Sequence, residues 1–314
     1  MLFESTTVAL VSCPEYASAV LAPAIDRVIT ALGELEHPAG LQVLLKPNLI
    51  SAKRGPLACT EGAFIVVVAR WFLDRGARVT VGDSPAFGTA TAVLDRLGIL
   101  EDLRSLGVGV SDFTSTRKIR LHSGIRAALA VDALDCDLLV NLPRVKAHAQ
   151  TRVTLAVKNC FGCLSGLQKP WWHMVHGGAS GPFAGLLVEL LEVLPRTLTL
   201  VDGVRAMHVT GPVRGKIHPL NVLAAGMNPV AVDRALLAVL KVDPRRSPLW
   251  QAAADAGIAG SRLADLTFPL AAPAELQAND YIVPDELNSI RFHPFSFIVS
   301  SVRRKFMVWK TGNR

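Results

Sequence analysis

No stretch of this chain stays apolar for the roughly 20 residues that a membrane-spanning helix needs. Every long hydrophobic run is cut first by a charge or a glycine, although half of the residues are hydrophobic (50%) and mean hydropathy is +0.35. The N-terminus has no basic segment followed by an apolar one, so no secretory signal is read there. There is no GxxxxGK[ST] loop and no GxGxxG after the first strand, which removes the usual phosphate and dinucleotide signatures. There is no GxSxG elbow and no HExxH, and no internal repeat or low-complexity linker. The five cysteines are an odd number in a chain too long to need disulfide staples, and they point to a reducing cytoplasm. With 314 residues and 19% charged, the chain is too apolar to be disordered and too mixed for a collagen or a coiled coil.

The net charge of +7 is unevenly placed. Residues 291–314 hold Arg291, Arg303, Arg304, Lys305, Lys310 and Arg314 and no acidic residue, leaving 27 basic against 26 acidic residues before them. A near-neutral body argues against a nucleic-acid partner, which calls for a basic stripe across the fold. In the tail, Phe295, Phe297, Ile298, Val299, Val302, Phe306, Met307 and Trp309 interleave with the cations. That pattern predicts an amphipathic basic helix suited to an anionic membrane surface, or to the body or a second subunit. The expected organisation is an α/β domain over residues 1–290 and this tail over 291–314.

The body alternates strands and helices. Apolar runs at Thr7–Ser12, Leu41–Leu45, Arg78–Val81, Leu138–Leu142, Leu198–Val201 and Leu220–Ala225 read as strands, with a short one near Leu266. Helices are expected over Glu15–Leu32, Glu61–Asp74, Thr89–Leu97, Pro229–Leu240 and Pro248–Ala256. Residues 269–290 read as an exit segment. Continuous apolar strands alternating with helices predict an α/β fold: a mostly parallel sheet with helices on both faces, in one or two intimate lobes.

In open α/β sheets, ligands bind outside the carboxyl ends of the strands. Here four strands run directly into Lys46 and Asn48, into Asp83 and Ser84, into Lys146 and His148, and into Asp202. Asp and Ser also cap helices, but Lys neither caps nor turns, so Lys46 and Lys146 carry the inference of a cleft. The stretch 141–188 holds Arg144, Lys146, Arg152, Lys158 and Lys169 with no acidic residue, together with His148, His173 and His176. Apolar spacing from Val153 to Leu164 predicts a half-buried helix carrying Lys158 and Asn159, and a glycine-rich loop around Trp171 and Trp172 follows as a candidate lid. Near Gly211–Pro212, Arg214 makes a cationic turn that is a candidate anion contact. Cys160 and Cys163 form a CxxC without the second pair that zinc sites show, so they read either as packed thiols or as half of a metal or iron–sulfur site.

Several separate segments resemble the domain-of-unknown-function 362 family: LLKPN through Asn48, VGDSPAFGTA through Ala90, NLPRVKAHAQTRVTLAVKNCFG from Asn141 to Gly162, His173, VDGVRAMHVTGP through Pro212 and AAGMNPVAVD through Asp233. The resemblance spans roughly residues 5 to 260 in one order. Many members carry an added ferredoxin-like domain and are described as iron–sulfur proteins; this sequence shows no such domain. A more distant similarity, in residue types and architecture, is to nickel-pincer lactate racemases, which set lysine and histidines between α/β lobes.

Three readings follow. In the first, the chain is an enzyme on a small anionic or carbonyl-bearing substrate. Lys46, Lys146 and Lys158 bind or activate it, His148 or His173 moves a proton, and Asp83 and Asp202 orient a histidine or ligate a cation. Asn48, Ser84, Asn159 and Arg214 complete the binding set. In the second, Cys160, Cys163 and nearby histidines hold a metal ion or an iron–sulfur cluster. In the third, the cleft binds a small anion without catalysis.

Overall fold

Two-sided burial explains why the strands read as unbroken apolar runs. The computed structural model of the chain describes residues 4–33, 35, 37–51, 56–165, 168–175 and 182–287. Its strands are β1 (Val8–Ser12), β2 (Gln42–Pro47), β3 (Arg78–Gly82), β4 (Gly109–Ser111), β5 (Thr116–Arg120), β6 (Arg126–Ala130), β7 (Leu138–Leu142), β8 (Arg144–His148), β9 (Arg152–Thr154), β10 (Thr197–His208), β11 (Lys216–His218) and β12 (Val222–Gly226). Its helices are α1 (Ser18–Thr30), α2 (Gly62–Leu73), α3 (Ala90–Arg96), α4 (Leu100–Ser105), α5 (Val131–Asp135), α6 (Ala156–Cys160), α7 (Gln168–Val175), α8 (Phe183–Glu192), α9 (Pro229–Val239) and α10 (Pro248–Asp255).

Ten strands form one mixed sheet, in the order β1-β12-β10-β7-β2-β3-β4, with β11 and β8 also pairing to β10 and β9 pairing to β8. The run β10-β7-β2-β3-β4 is parallel. Side chains alternate across each strand, so Val43 and Leu45 enter the core under α1 and α2, whereas Leu44 enters the core under α6 and α8. On the β1-β12-β10 side, Val8 and Leu10 pack beneath α9. Helices thus cover both faces, as a parallel sheet requires. The signals that start the helices are local. Asn228 accepts from the amides of Val230 and Ala231 ahead of α9, with Pro229 in the first turn. Thr89 likewise caps α3.

The sheet is mostly parallel, as expected, with the strand at 222–226 antiparallel to both of its neighbours, β1 and β10. Two readings of the sequence change. The segment expected to be helical from Val153 is a short strand, β9, followed by α6, a helix of one turn and a half. The strand expected near Leu266 reduces to a single bridge between Thr7 and Thr267. The β5–β6 hairpin, a separate two-stranded sheet, was not expected, because its first strand, β5, is charged and largely exposed. The tail at 291–314 lies outside the described residues.

Candidate active site

Parallel pairing brings distant strand ends together. β2 lies between β3 and β7, with Leu45 beside Val81 and Lys46 beside Asn141. Lys46 and Asp83 therefore leave adjacent strands at the same end, and they form a buried ion pair, Nζ to Oδ1 at 2.9 Å. Asp83 does not cap a helix; that role falls to Thr89. Its carboxylate instead accepts the amides of Leu49 and Ser84, each at 2.8 Å. Gly162 passes directly over the pair, where a Cβ would collide with the Lys46 side chain and Asp83 Oδ1.

On β8, alternation places Arg144, Lys146 and His148 on one face. Lys146 and His148 line a cleft of about 140 Å³ together with Lys46, Asn48, Asp83, Ser84, Thr154, Lys158, Asn159 and Lys169. Leu49, Ile50, Ala86, Phe161 and Pro212 add apolar wall. A cavity near 150 Å³ holds a benzene-sized molecule, so the space suits a compound of a few carbons. Among the described lining residues, four lysines face one carboxylate, which gives the cleft a cationic character.

Each polar group has its own setting. Lys46 Nζ also donates to the Pro47 carbonyl at 2.9 Å. Lys146 Nζ donates to Asn48 Oδ1 and, at 2.7 Å, to the Ala58 carbonyl. Lys169 donates to the carbonyls of Ser84 and Gly162. Burial pushes the Lys146 amine down to about 7. Burial, reinforced by Lys169, Lys146 and Lys46, does the same to Lys158. The Lys158 amine lies 4.4 Å from the centre of the Phe161 ring. A chain of amides sets the floor: Asn48 donates to Asn159 at 2.7 Å and Asn159 to Asn141 at 2.8 Å. In the β8–β9 turn, the amides of Gln150 and Thr151 both donate to His148 Nδ1, at 3.1 and 3.2 Å. In neutral His148 this assigns the ring proton to Nε2. Asp233 on α9 accepts from the amides of Ala156 and Val157, at 2.6 and 3.3 Å, and so anchors the start of α6 that presents Lys158 and Asn159.

Not every expected residue joins the cleft. Asp202 stands in register with Arg144 rather than with Lys146. It is fully buried, accepts from the Tyr16 hydroxyl at 2.5 Å and from the Glu61 amide at 3.0 Å, and neighbours the Arg144 guanidinium. Arg144 is tied further to the carbonyls of Cys59 and Arg205. Asp202 thus belongs to a structural polar cluster behind the cleft. Arg152 turns away too, donating to the carbonyls of Arg246, Pro284 and Asp285. Arg214 is exposed and does not line the cleft, whereas Pro212 does. The side chain of His173, on α7, is outside the described residues, as is His176. In the candidate lid, Trp172 packs against Phe161 in the core and Trp171 is exposed.

Cys160 and Cys163 sit in the apolar cluster beside Leu139 and Phe161. Burial pushes the Cys163 thiol up to about 11 and the Cys160 thiol well above its ordinary value, against the thiolate that a metal needs. Among the described residues, no group of three or more His, Cys, Asp or Glu side chains is placed to hold a metal ion. Outside the cleft, His208 and His218 pack against each other and Tyr281, with His218 Nε2 2.8 Å from Asp280. Thr154 was missed by the sequence reading. It faces Lys146 across the β8–β9 pairing, and its buried Oγ1 has no hydrogen-bond partner among the described residues.

Comparison with known proteins adds three findings. The family model described as Domain of unknown function (DUF362) matches residues 43–238. The thylakoid-associated protein sll1697 of Synechocystis sp. (strain ATCC 27184 / PCC 6803 / Kazusa) is 33% identical over 290 residues, which is 91% of this chain and 90% of that protein. Among solved structures, the lactate racemase apoprotein of Thermoanaerobacterium thermosaccharolyticum is 14% identical, with a TM-score of 0.46 over 74% of this chain. A Thermotoga maritima protein is also 14% identical, with a TM-score of 0.41 over 67% of this chain. The chain spans 57% and 55% of the lengths of those two structures.

Proposed function

The chain belongs to the domain of unknown function 362 family, and from that premise we propose that it is an enzyme acting on a small anionic or carbonyl-bearing substrate in the cleft at the carboxyl ends of β2, β3 and β8. One observation carries the reading: Lys46, Lys146, Lys158, His148 and Asp83, drawn from four separate chain segments, line a single cationic cleft of about 140 Å³. In this reading, Lys46 and Lys146 hold the substrate's negative charge. Asp83 fixes Lys46 from behind, and His148 exchanges a proton through Nε2. An amine near 7 changes charge at neutral pH, so an anion held by Lys146 draws a proton onto that amine.

A panel of small carboxylates and oxo-acids tests the reading by thermal stabilisation and by proton NMR of turnover or solvent-deuterium uptake. The expected result is that one class both stabilises the chain and reacts, and that His148→Ala abolishes reaction while keeping most of the stabilisation. Stabilisation without reaction for the whole panel would favour a non-catalytic anion-binding protein. No stabilisation by any member would remove the cleft as a ligand site.

We also propose that the chain, as a cytoplasmic protein, contacts a membrane surface through residues 291–314. Support comes from the interleaved cations and apolar side chains of that segment and from the thylakoid association named for the relative. No helix among the described residues is long and apolar enough to cross a membrane. Flotation with anionic vesicles should be lost on truncation before Arg291, and equal flotation of both forms refutes the contact.

A further inference from the structure

Four lysines line the cleft, and three of them are tied. Lys46 is paired with Asp83, Lys146 donates to Asn48 and the Ala58 carbonyl, and Lys169 donates to two carbonyls. Such acceptors favour the ammonium form and take up two of the three protons of each amine, leaving one for a ligand. Lys158 differs. It is 9% exposed, it lines the cleft, and among the described residues its amine has no hydrogen-bond acceptor. Its near neighbours are the faces of Phe161, at 4.4 Å, and Phe183, at 5.4 Å. With no acceptor among the described residues holding its protons, the amine opens its lone pair to the cleft once a proton leaves, which is what a nucleophile needs.

We propose that Lys158 is a covalent nucleophile that forms an imine with the carbonyl carbon of a small oxo-carboxylate bound in the cleft. This rests on the enzyme reading above and narrows it to one substrate class and one bond. The carboxylate is met by the Lys146 ammonium, and the short apolar wall at Leu49, Ile50 and Ala86 limits the rest of the molecule to a few carbons. The Lys158 nitrogen attacks the carbonyl carbon with its lone pair. The C–N bond forms as the carbonyl π bond breaks, and the oxygen takes a proton to give a carbinolamine. That oxygen then takes a second proton and departs as water, while the nitrogen gives up two protons and becomes the imine. No electrons are gained or lost. His148, with its ring proton on Nε2, is the cleft's proton carrier. The Thr154 hydroxyl, without a hydrogen-bond partner among the described residues, is available to hold the carbinolamine oxygen.

The backbone is built to keep the nucleophile still. Asp233 fixes the two amides that open α6, and the next residue, Asn159, is locked to Asn48 and Asn141. Because burial brings the amine to about 7, a large share of it is unprotonated at neutral pH, whereas an ordinary lysine near 10.4 has almost none.

The test is reductive trapping of the full chain at neutral pH with borohydride and either pyruvate or glyoxylate, followed by peptide mapping. A reduced adduct concentrated at Lys158, saturating with the oxo-acid and suppressed by excess acetate, is the expected result. Lys158→Arg should lose that adduct while the oxo-acid still stabilises it thermally. If the arginine variant does not fold, the mapping on the unmodified sequence decides alone. Adducts spread over surface lysines with none at Lys158 overturn the imine. If the oxo-acid still stabilises the chain and is turned over in that case, the enzyme reading stands without the imine; if neither is seen, both fall.

Discussion

Replacing Lys158 by Met should stabilise the chain, by an amount that depends on pH. Burial holds this amine at about 7, against 10.5 for an ordinary lysine. A tenfold change in proton affinity corresponds to about 1.4 kcal/mol, so keeping the ammonium in the folded chain costs on the order of 5 kcal/mol below pH ~7. The folded value lies below the unfolded one, so the unfolded chain binds more protons between about pH 7 and 10.5. Its unfolding free energy therefore climbs through that window, and the penalty is gone above it. Met keeps a similar length and its contacts with Phe161 and Phe183, but it gives up ammonium–ring attraction of roughly 1–2 kcal/mol. Lys158→Met should therefore be more stable by about 2–4 kcal/mol near pH 6, with the gap closing toward pH 10. Urea unfolding of both proteins at intervals across that range measures it. A gap that stays constant with pH, or a variant less stable near pH 6, would refute the placement of an unpaired buried amine.

Three other changes probe the surroundings. Gly162→Ala forces a methyl group onto the Lys46–Asp83 pair and should cost about 1–3 kcal/mol while weakening carboxylate binding in a thermal-shift titration; unchanged melting would show that the loop lies elsewhere. Tyr16→Phe removes a donor from buried Asp202 and should cost roughly 1–3 kcal/mol in chemical unfolding with carboxylate affinity unaltered, and the reverse pattern would return Asp202 to the cleft. Burial raises the Asp233 carboxyl to about 8 from 3.8, so its contribution to stability is complete below pH ~4 and is lost as pH rises through 8. Asp233→Asn should flatten that decline, and an identical pH slope in the variant would contradict the assignment.

The strand ends were readable because they depend on local rules. An apolar run that stops at Lys46-Pro47 has few other uses, whereas Lys146 and His148, expected just past a strand, lie within a strand of their own, β8, whose residues make no apolar run. The start of α9 at Asn228-Pro229 was equally local. Asp202 was not readable, since its partner is fixed by the pairing of β8 with β10 across some 58 residues, and that register sets it opposite Arg144. Thr154 was hidden for another reason. In a segment as short as Val153–Leu155, apolar residues fit a two-residue and a 3.6-residue period equally well, and only the antiparallel turn at His148 decides for strand. The β5–β6 hairpin escaped notice because Thr116–Arg120 is largely exposed and charged. The CxxC spacing leaves packed thiols and ligands both open, and the burial of Cys160 and Cys163 in the apolar cluster depends on distant residues that the spacing does not show.

β10 joins the sheet's parallel run to its antiparallel side, pairing with β7, β8, β11 and β12, while β1 pairs only with β12. During translation, the opening strand therefore waits for more than 200 residues before its hydrogen-bonding edge is covered. The β8 segment that carries Lys146 pairs at once with β9, while its other edge stays open until β10 leaves the ribosome. A nascent chain arrested before Thr197 would present those bare edges and the apolar face meant for α9, which makes it a substrate for chaperones and a seed for aggregation. The lysines of the cleft all lie ahead of that point, on segments that pair among themselves, so what comes late is the second edge of β8 and the Pro212 wall.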